Sequence, residues 1–134
     1  MKIPNDILFR KELSLIVWRP QGTLDEPTVS EIVAFIETAE RRTPKPFNRF
    51  TDMSALDMVD LNFKFMFHVA LCRRISAKPK PTVKSAFYVT SKATAHYAKL
   101  HAMLTDYSPL EVCLYTDRVE AANWLGVPVD ALNF

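Results

Sequence analysis

Leu13-Ser14-Leu15-Ile16-Val17-Trp18-Arg19, interrupted by Pro20 and Gly22, is followed by Asp25-Glu26-Pro27-Thr28-Val29-Ser30-Glu31-Ile32-Val33. The first run reads as a β-strand, because Leu, Ile, Val and Trp favour a pleated, half-buried surface. Pro20 has no N–H to give to a ladder, so the strand ends there or lies exposed. The second run opens a helix: Asp25 or Thr28 suits the N-cap, and Pro27 fits the first turn. Thr28 and Glu31 also match a capping box. Val29, Ile32, Val33, Ile36 and Ala39 recur at helical spacing, which turns one apolar stripe toward a core. The helix runs to about Arg42, where Pro44 and Pro46 stop it.

The same alternation continues on both sides. Ile7 to Glu12 precedes Leu13 to Arg19 as the first arm of an antiparallel hairpin. Phe47 to Met53 reads as a strand, and Met58 to Ser76 as a helix. Lys84 to Thr90 is a strand, and Ser91 caps a helix reaching Tyr107. Leu110 to Thr116 is a buried-type strand. Asp117-Arg118-Val119-Glu120 then opens a short last helix that Gly126 and Pro128 close. The order β-β-α-β-α-β-α-β-α requires right-handed crossovers. It predicts an α/β fold with a mixed, mainly parallel sheet of about five strands and about four helices, beginning with an antiparallel hairpin.

Composition narrows the chemistry. A chain of 134 residues with 49% apolar and 24% charged residues is expected to form one domain with its own core. Only two glycines are present, Gly22 and Gly126, where about nine would be usual at roughly 7%. Dinucleotide fingerprints and Walker loops need closely spaced glycines, so both are excluded. Cys72 and Cys113 form no Cys-x-x-Cys pair and are expected to be free thiols in a reducing compartment. No basic region followed by an unbroken apolar stretch opens the chain, and no apolar run is long enough to span a membrane. A cytoplasmic location is therefore expected.

Net charge is +2, but residues 41–100 carry twelve Lys and Arg against three Asp and Glu. Arg41, Arg42, Arg73 and Arg74 close two helices, where cations complement the helix dipole. Phe87-Tyr88-Val89 is not interleaved with Lys or Arg as a single-strand binding face requires. No nucleic-acid partner is expected.

The helix from Met58 to Ser76 is the least ordinary element. Projected at about 100° per residue, Asp60, Lys64, His68 and Cys72 make a narrow polar stripe. Met58, Leu61, Phe65 and Val69 lie on one side of it, and Val59, Phe63, Met66, Phe67 and Ala70 on the other. One stripe covers a sheet. A second implies another helix, an apolar ligand or a partner subunit.

Catalytic and metal patterns are sparse. His68 and Cys72 are spaced i, i+4, but spacing places no third ligand beside them. His96 and His101 do not share a helix face, and no nucleophile-base arrangement is evident. Asp52, Asp57 and Asp60 cluster where the third strand meets the second helix, the end of a parallel sheet at which ligands bind. No cofactor and no metal are expected.

Gly22-Thr23-Leu24-Asp25, then Thr51-Asp52-Met53-Ser54-Ala55-Leu56 and Val59-Asp60-Leu61-Asn62, resemble the STAS domain of anti-sigma-factor antagonists. The first run is similar to that family's Gly-x-Leu-Asp turn, the second to its Asp-Leu-Ser strand end and the loop beyond. Ala86-Phe87-Tyr88-Val89, Val112-Cys113-Leu114-Tyr115-Thr116-Asp117 and Glu120-Ala121-Ala122-Asn123-Trp124-Leu125 are similar to the SpoIIAA-like, STAS/CRAL-TRIO-like group of small bacterial proteins. The antagonists carry a phosphorylated serine after the loop aspartate. Aligned on Asp60 that position is Leu61, and the next serine and glycine become Asn62 and Phe63. Ser54 matches a different position. The resemblance therefore implies the fold, an absence of catalysis, and a second-helix region presented to a protein or ligand, without the phosphorylation switch.

Two functional expectations follow. The first is a non-catalytic STAS-like interaction or regulatory module that self-associates as a homodimer, or binds another protein, through Met58–Ser76. The alternative is a carrier or sensor of a small apolar or amphipathic anionic ligand. Phe63, Met66 and Phe67 would line its pocket, and Arg73 or Arg74 would meet the anionic head. Asp52, Ser54, Asp60 and Asn62 complete the candidate ligand- or partner-binding set. Asp52 and Asp60 as an acid/base pair is the least supported option, and no catalytic residue is assigned.

Overall fold

The computed structural model describes residues 3–43, 45–76, 82–104 and 110–134. Strands β1 (Ile7–Arg10), β2 (Leu15–Trp18), β3 (Gly22–Asp25), β4 (Asn48–Asp52), β5 (Leu56–Asp60), β6 (Val83–Tyr88) and β7 (Leu110–Tyr115) alternate with helices α1 (Glu26–Arg42), α2 (Phe63–Ser76), α3 (Lys92–Leu104) and α4 (Arg118–Leu125). The main sheet has five strands in the order β1-β2-β4-β6-β7. β1 and β2 are antiparallel, and every other neighbour in that sheet is parallel. The expected mixed, mainly parallel sheet opening on a hairpin is the one observed.

Strand alternation sorts the core onto two faces. Ile16 and Trp18 of β2 join Phe87 of β6 beneath Val29, Ile32 and Phe35 of α1 and Tyr97 and Ala98 of α3. Leu15 and Val17 point the other way, with Phe50 and Ala86, onto Ala121, Ala122 and Leu125 of α4 and Ala131 and Leu132 beyond it. Side chains two apart share a face, so each central strand feeds both layers.

Local chemistry explains the element ends. Of the two candidate caps for α1, Asp25 takes the role: its Oδ1 accepts from the Thr28 N–H at 3.0 Å and from the Thr28 hydroxyl at 2.6 Å. Ser91 caps α3, with Oγ accepting from the Thr94 N–H at 3.2 Å. Asp117 caps α4 through the Val119 N–H at 2.8 Å. Gly126 closes that helix at φ +73°, a left-handed conformation that glycine adopts without a Cβ penalty.

Three elements differ from the sequence reading. Ser14 adopts φ 49° after a 3-10 turn over Lys11–Leu13, so the hairpin arms are shorter than expected. Gly22–Asp25 is a strand rather than a break, and it pairs in parallel with Leu56–Asp60 as a second, two-stranded sheet. Consequently Met58, Val59 and Asp60 belong to a strand, and the second helix begins at Phe63. Leu56 and Val59 pack on the core while Asp57 and Met58 are exposed, Met58 to 57%, because the pairing with β3 skips Asp57 as a bulge. Asn62 supplies the physical start of α2, because its Oδ1 accepts from the Phe65 N–H at 2.8 Å. A further 3-10 turn over Val129–Leu132 follows α4 and buries Ala131 and Leu132.

Candidate functional site

The inner face of the central strands carries polar groups where a buried parallel sheet is ordinarily continuous aliphatic. Arg49 and Thr51 stand two apart on β4, and Ser85 on β6 pairs in register with Arg49. All three are buried, Arg49 to 8% exposure. They line a cavity of about 80 Å³. Val29, Ile32, Val33 and Ile36 of α1 form one wall, and Tyr97 and His101 of α3, Val69 of α2 and Leu110 form the other. Ile16, Trp18 and Phe87 extend the apolar floor.

A dry cavity of about 150 Å³ accepts benzene, so the enclosed part here takes about three carbons and a longer chain would continue through its open side. A second void of about 10 Å³, lined by Leu61, Phe65 and Met66, shares Val29, Val69, Tyr97 and His101 with the first.

The Arg49 charge is ion-paired within the chain. Arg49 Nη2 donates to Glu40 Oε2 at 3.3 Å, and both side chains are largely withdrawn from solvent. The Arg49 guanidinium also lies 5.6 Å from the Phe47 ring centroid. Phe87 of the floor forms a ring cluster with Tyr97 and His101 of the opposite wall, the latter two stacked at 6.2 Å and 19°. Burial pushes the Tyr97 phenol up to about 12, so it stays a neutral hydroxyl at physiological pH. Together these groups provide an arginine paired with a glutamate, several hydroxyls and an apolar lining, an arrangement compatible with a small-ligand site.

The sequence-derived candidates whose side chains are described lie outside the lining of this cavity. Asp52 lies at the end of β4, 4% exposed, and is tied into the scaffold. Its Oδ2 accepts from Arg118 Nη1 at 2.9 Å and sits 3.6 Å from Arg19 Nε, while its Oδ1 accepts from the Ser54 N–H at 2.9 Å. Burial raises this carboxyl, but the Ser54 hydrogen bond and the Arg118 guanidinium outweigh it, leaving Asp52 below its ordinary value. Ser54 itself is exposed in the turn beyond β4.

Asp60 is exposed at the end of β5, pairing in register with Asp25. Asn62 caps α2 and its Nδ2 lies 3.5 Å from Glu26 Oε1. Met66 is core, whereas Phe67 is 50% and Leu71 43% exposed on the outer face of α2. The side chains of Phe63, Arg73 and Arg74 lie outside the described residues. The structure therefore brings Asp52 and Ser54 together and places Met66 beside the smaller void, but among the described residues it does not gather the candidates into one pocket.

Lys64, His68 and Cys72 keep the expected exposed stripe, with His68 Nε2 3.8 Å from Cys72 Sγ. Cys72 and Cys113 are both free. Among the described residues no helix is long and apolar enough to cross a membrane.

Arg49, Thr51, Ser85 and Tyr97 carry no motif or spacing that singles them out, and His101 drew notice only through its spacing from His96. The available signal was the strand Asn48-Arg49-Phe50-Thr51-Asp52, whose polar alternation is unusual for a strand at the centre of a parallel sheet.

No family model matches the chain, and none of the curated proteins matches it in sequence. Among solved structures it is similar to an uncharacterized protein of the DUF3478 family with a SpoIIAA-like fold, from Shewanella loihica PV-4. That likeness has a TM-score of 0.54 at 14% sequence identity and covers 83% of each chain. With the hairpin, the parallel strands that follow it and the four helices of the described residues, it establishes that this chain has a SpoIIAA-like fold.

Proposed function

We propose that the protein is a non-catalytic SpoIIAA-like module that carries or senses a small amphipathic anion in the cavity between α1 and α3. The observation that carries this reading is Arg49, a buried cation beside Thr51 and Ser85 on the floor of an otherwise apolar cavity. Its guanidinium already meets one carboxylate, Glu40, beside a lining that is otherwise mostly Val, Ile and aromatic side chains. A carboxylate head would meet Arg49 by charge-assisted hydrogen bonds, and its apolar part would lie against Ile32, Val33 and Ile36. This reading uses Arg49 as the cation where the sequence expectation named Arg73 or Arg74, whose side chains lie outside the described residues. The pocket still touches the second helix through Val69.

The absence of catalysis is favoured by Asp52. This carboxylate at the end of β4 is held by two arginines and a backbone N–H rather than poised to exchange a proton. Thermal unfolding with straight-chain carboxylates from butyrate to decanoate tests the proposal. The acids are expected to raise the midpoint, as any ligand selective for the native state does, and Arg49→Met is expected to abolish the rise. Equal shifts in wild type and Arg49→Met would contradict an anion site at Arg49.

A second reading rests on Phe67 and Leu71, which are i, i+4 neighbours on α2 and both substantially exposed. Self-association of two copies through this face would cover them. Sedimentation equilibrium at micromolar concentration is expected to give a dimer, and a strict monomer would overturn this second reading.

A further inference from the structure

We propose that Glu40 is a built-in competitor for the anion site, and that a bound carboxylate displaces it from Arg49 and releases the last turn of α1. The inference rests on the ligand-binding reading above and deepens it by naming how occupancy is communicated.

Glu40 lies within the final turn of α1, two residues before the helix ends at Arg42. Its Oε2 reaches Arg49 Nη2 at 3.3 Å, so a residue of the cavity lining and the end of the cavity wall share one ion pair. Ala39, next to Glu40, is fully buried, and its carbonyl accepts the Thr43 N–H at 2.9 Å to close the helix. Ile36, one turn earlier, lines the same cavity. The Glu40 carboxylate therefore occupies one of the hydrogen-bonding directions of the Arg49 fork, on an element that also forms the wall.

A carboxylate ligand and Glu40 present the same chemistry to the same guanidinium. Two anions held close in a poorly solvated site repel one another, so ligand entry favours states in which Glu40 turns away to water. Glu40 leaves most readily by loosening the α1 terminus, because helix ends open at lower free energy than helix interiors. A neutral ligand of the same length has no such conflict and leaves the Glu40–Arg49 pair in place. Apparent affinity for an anion is then reduced by the fraction of molecules in which Glu40 holds the site.

The test titrates hexanoate and 1-hexanol into wild type, Glu40→Gln and Glu40→Ala by calorimetry, with circular dichroism establishing that each variant is folded. Glu40→Gln is expected to bind hexanoate about tenfold more tightly than wild type and 1-hexanol with unchanged affinity. In the wild type, backbone amide exchange at residues 40–43 is expected to accelerate on saturation with hexanoate but not with 1-hexanol. Unchanged hexanoate affinity in folded Glu40→Gln and Glu40→Ala, with wild type still binding, overturns the competitor role and leaves the ligand site standing. Unaltered exchange at residues 40–43 in the hexanoate-saturated wild type overturns the released-turn element even if both variants misfold. Failure of wild type and both variants to bind either probe overturns the ligand site, and the competitor falls with it.

Discussion

Arg118, the first residue of α4, donates to the buried carboxylate of Asp52 at 2.9 Å across 66 residues of chain. The same guanidinium lies 5.3 Å from the ring centroids of both Phe50 and Tyr88. Its other nitrogen donates to the Leu132 carbonyl at 2.9 Å and to Asn133 Oδ1 at 2.8 Å. One side chain thus joins the end of β4, the last helix and the C-terminal 3-10 turn. Asp52→Asn removes the charge that Arg118 is buried against. It is expected to destabilise the protein by about 2 kcal/mol, less than for a fully buried pair because Arg118 is partly solvated. Urea unfolding at pH 7 measures this.

The same pair sets an acid dependence. The folded carboxyl of Asp52 lies below its unfolded value, so its contribution to stability is fully present above the unfolded value near pH 4. It is lost as pH falls through the folded value. Asp25 is shifted the same way by its Thr28 hydrogen bonds and acts in the same window. Urea midpoints between pH 7 and pH 3 are expected to fall more steeply for wild type than for Asp52→Asn. Parallel curves would remove Asp52 from the account of acid lability.

The Arg49–Glu40 pair predicts non-additivity. Arg49→Met leaves the Glu40 carboxylate in a poorly solvated place and is expected to cost about 1–3 kcal/mol. Arg49→Met combined with Glu40→Gln is expected to recover much of that loss. A double-mutant cycle by denaturant unfolding measures the coupling, expected at about 1 kcal/mol or more.

Phe67 and Leu71 test the self-association reading. Phe67→Asp with Leu71→Asp is expected to convert a self-associating chain to monomer. Urea stability of the monomer is expected to fall by only about 1 kcal/mol, since each side chain is about half exposed. A large loss of stability with unchanged mass would make them core residues instead.

Gly126→Ala isolates a backbone effect. A Cβ at this position meets nothing within 4 Å, so the left-handed φ of +73° is the only penalty. The expected cost is about 1 kcal/mol, read as a lower denaturation midpoint.

Most of the scaffold was legible because its signals are local. Asp25, Ser91, Asp117 and Gly126 mark helix ends by chemistry that acts within four residues. The hairpin and the parallel strands follow from alternating elements and short connections. What failed was a choice of period: Leu56–Asp60 is compatible with a helix stripe when joined to Phe63, and only pairing with Gly22–Asp25 decides for a strand. That pairing spans more than thirty residues and has no local signature.

The site was less legible for a related reason. Asp52 carries the residue type and position of a ligand group, but Arg118, 66 residues away, uses it structurally. Arg49, Thr51 and Ser85 become a site only when β4 and β6 align and α1 and α3 leave space above them.

The central claim is that the cavity over Arg49 takes a small amphipathic carboxylate. Amide and side-chain NMR shifts during a hexanoate titration test it most directly. Saturable shifts at Thr51, Ser85, Tyr97 and His101, lost in Arg49→Met, are the predicted result. No shift at these residues up to about 10 mM hexanoate, or shifts confined to the outer face of α2, would contradict it.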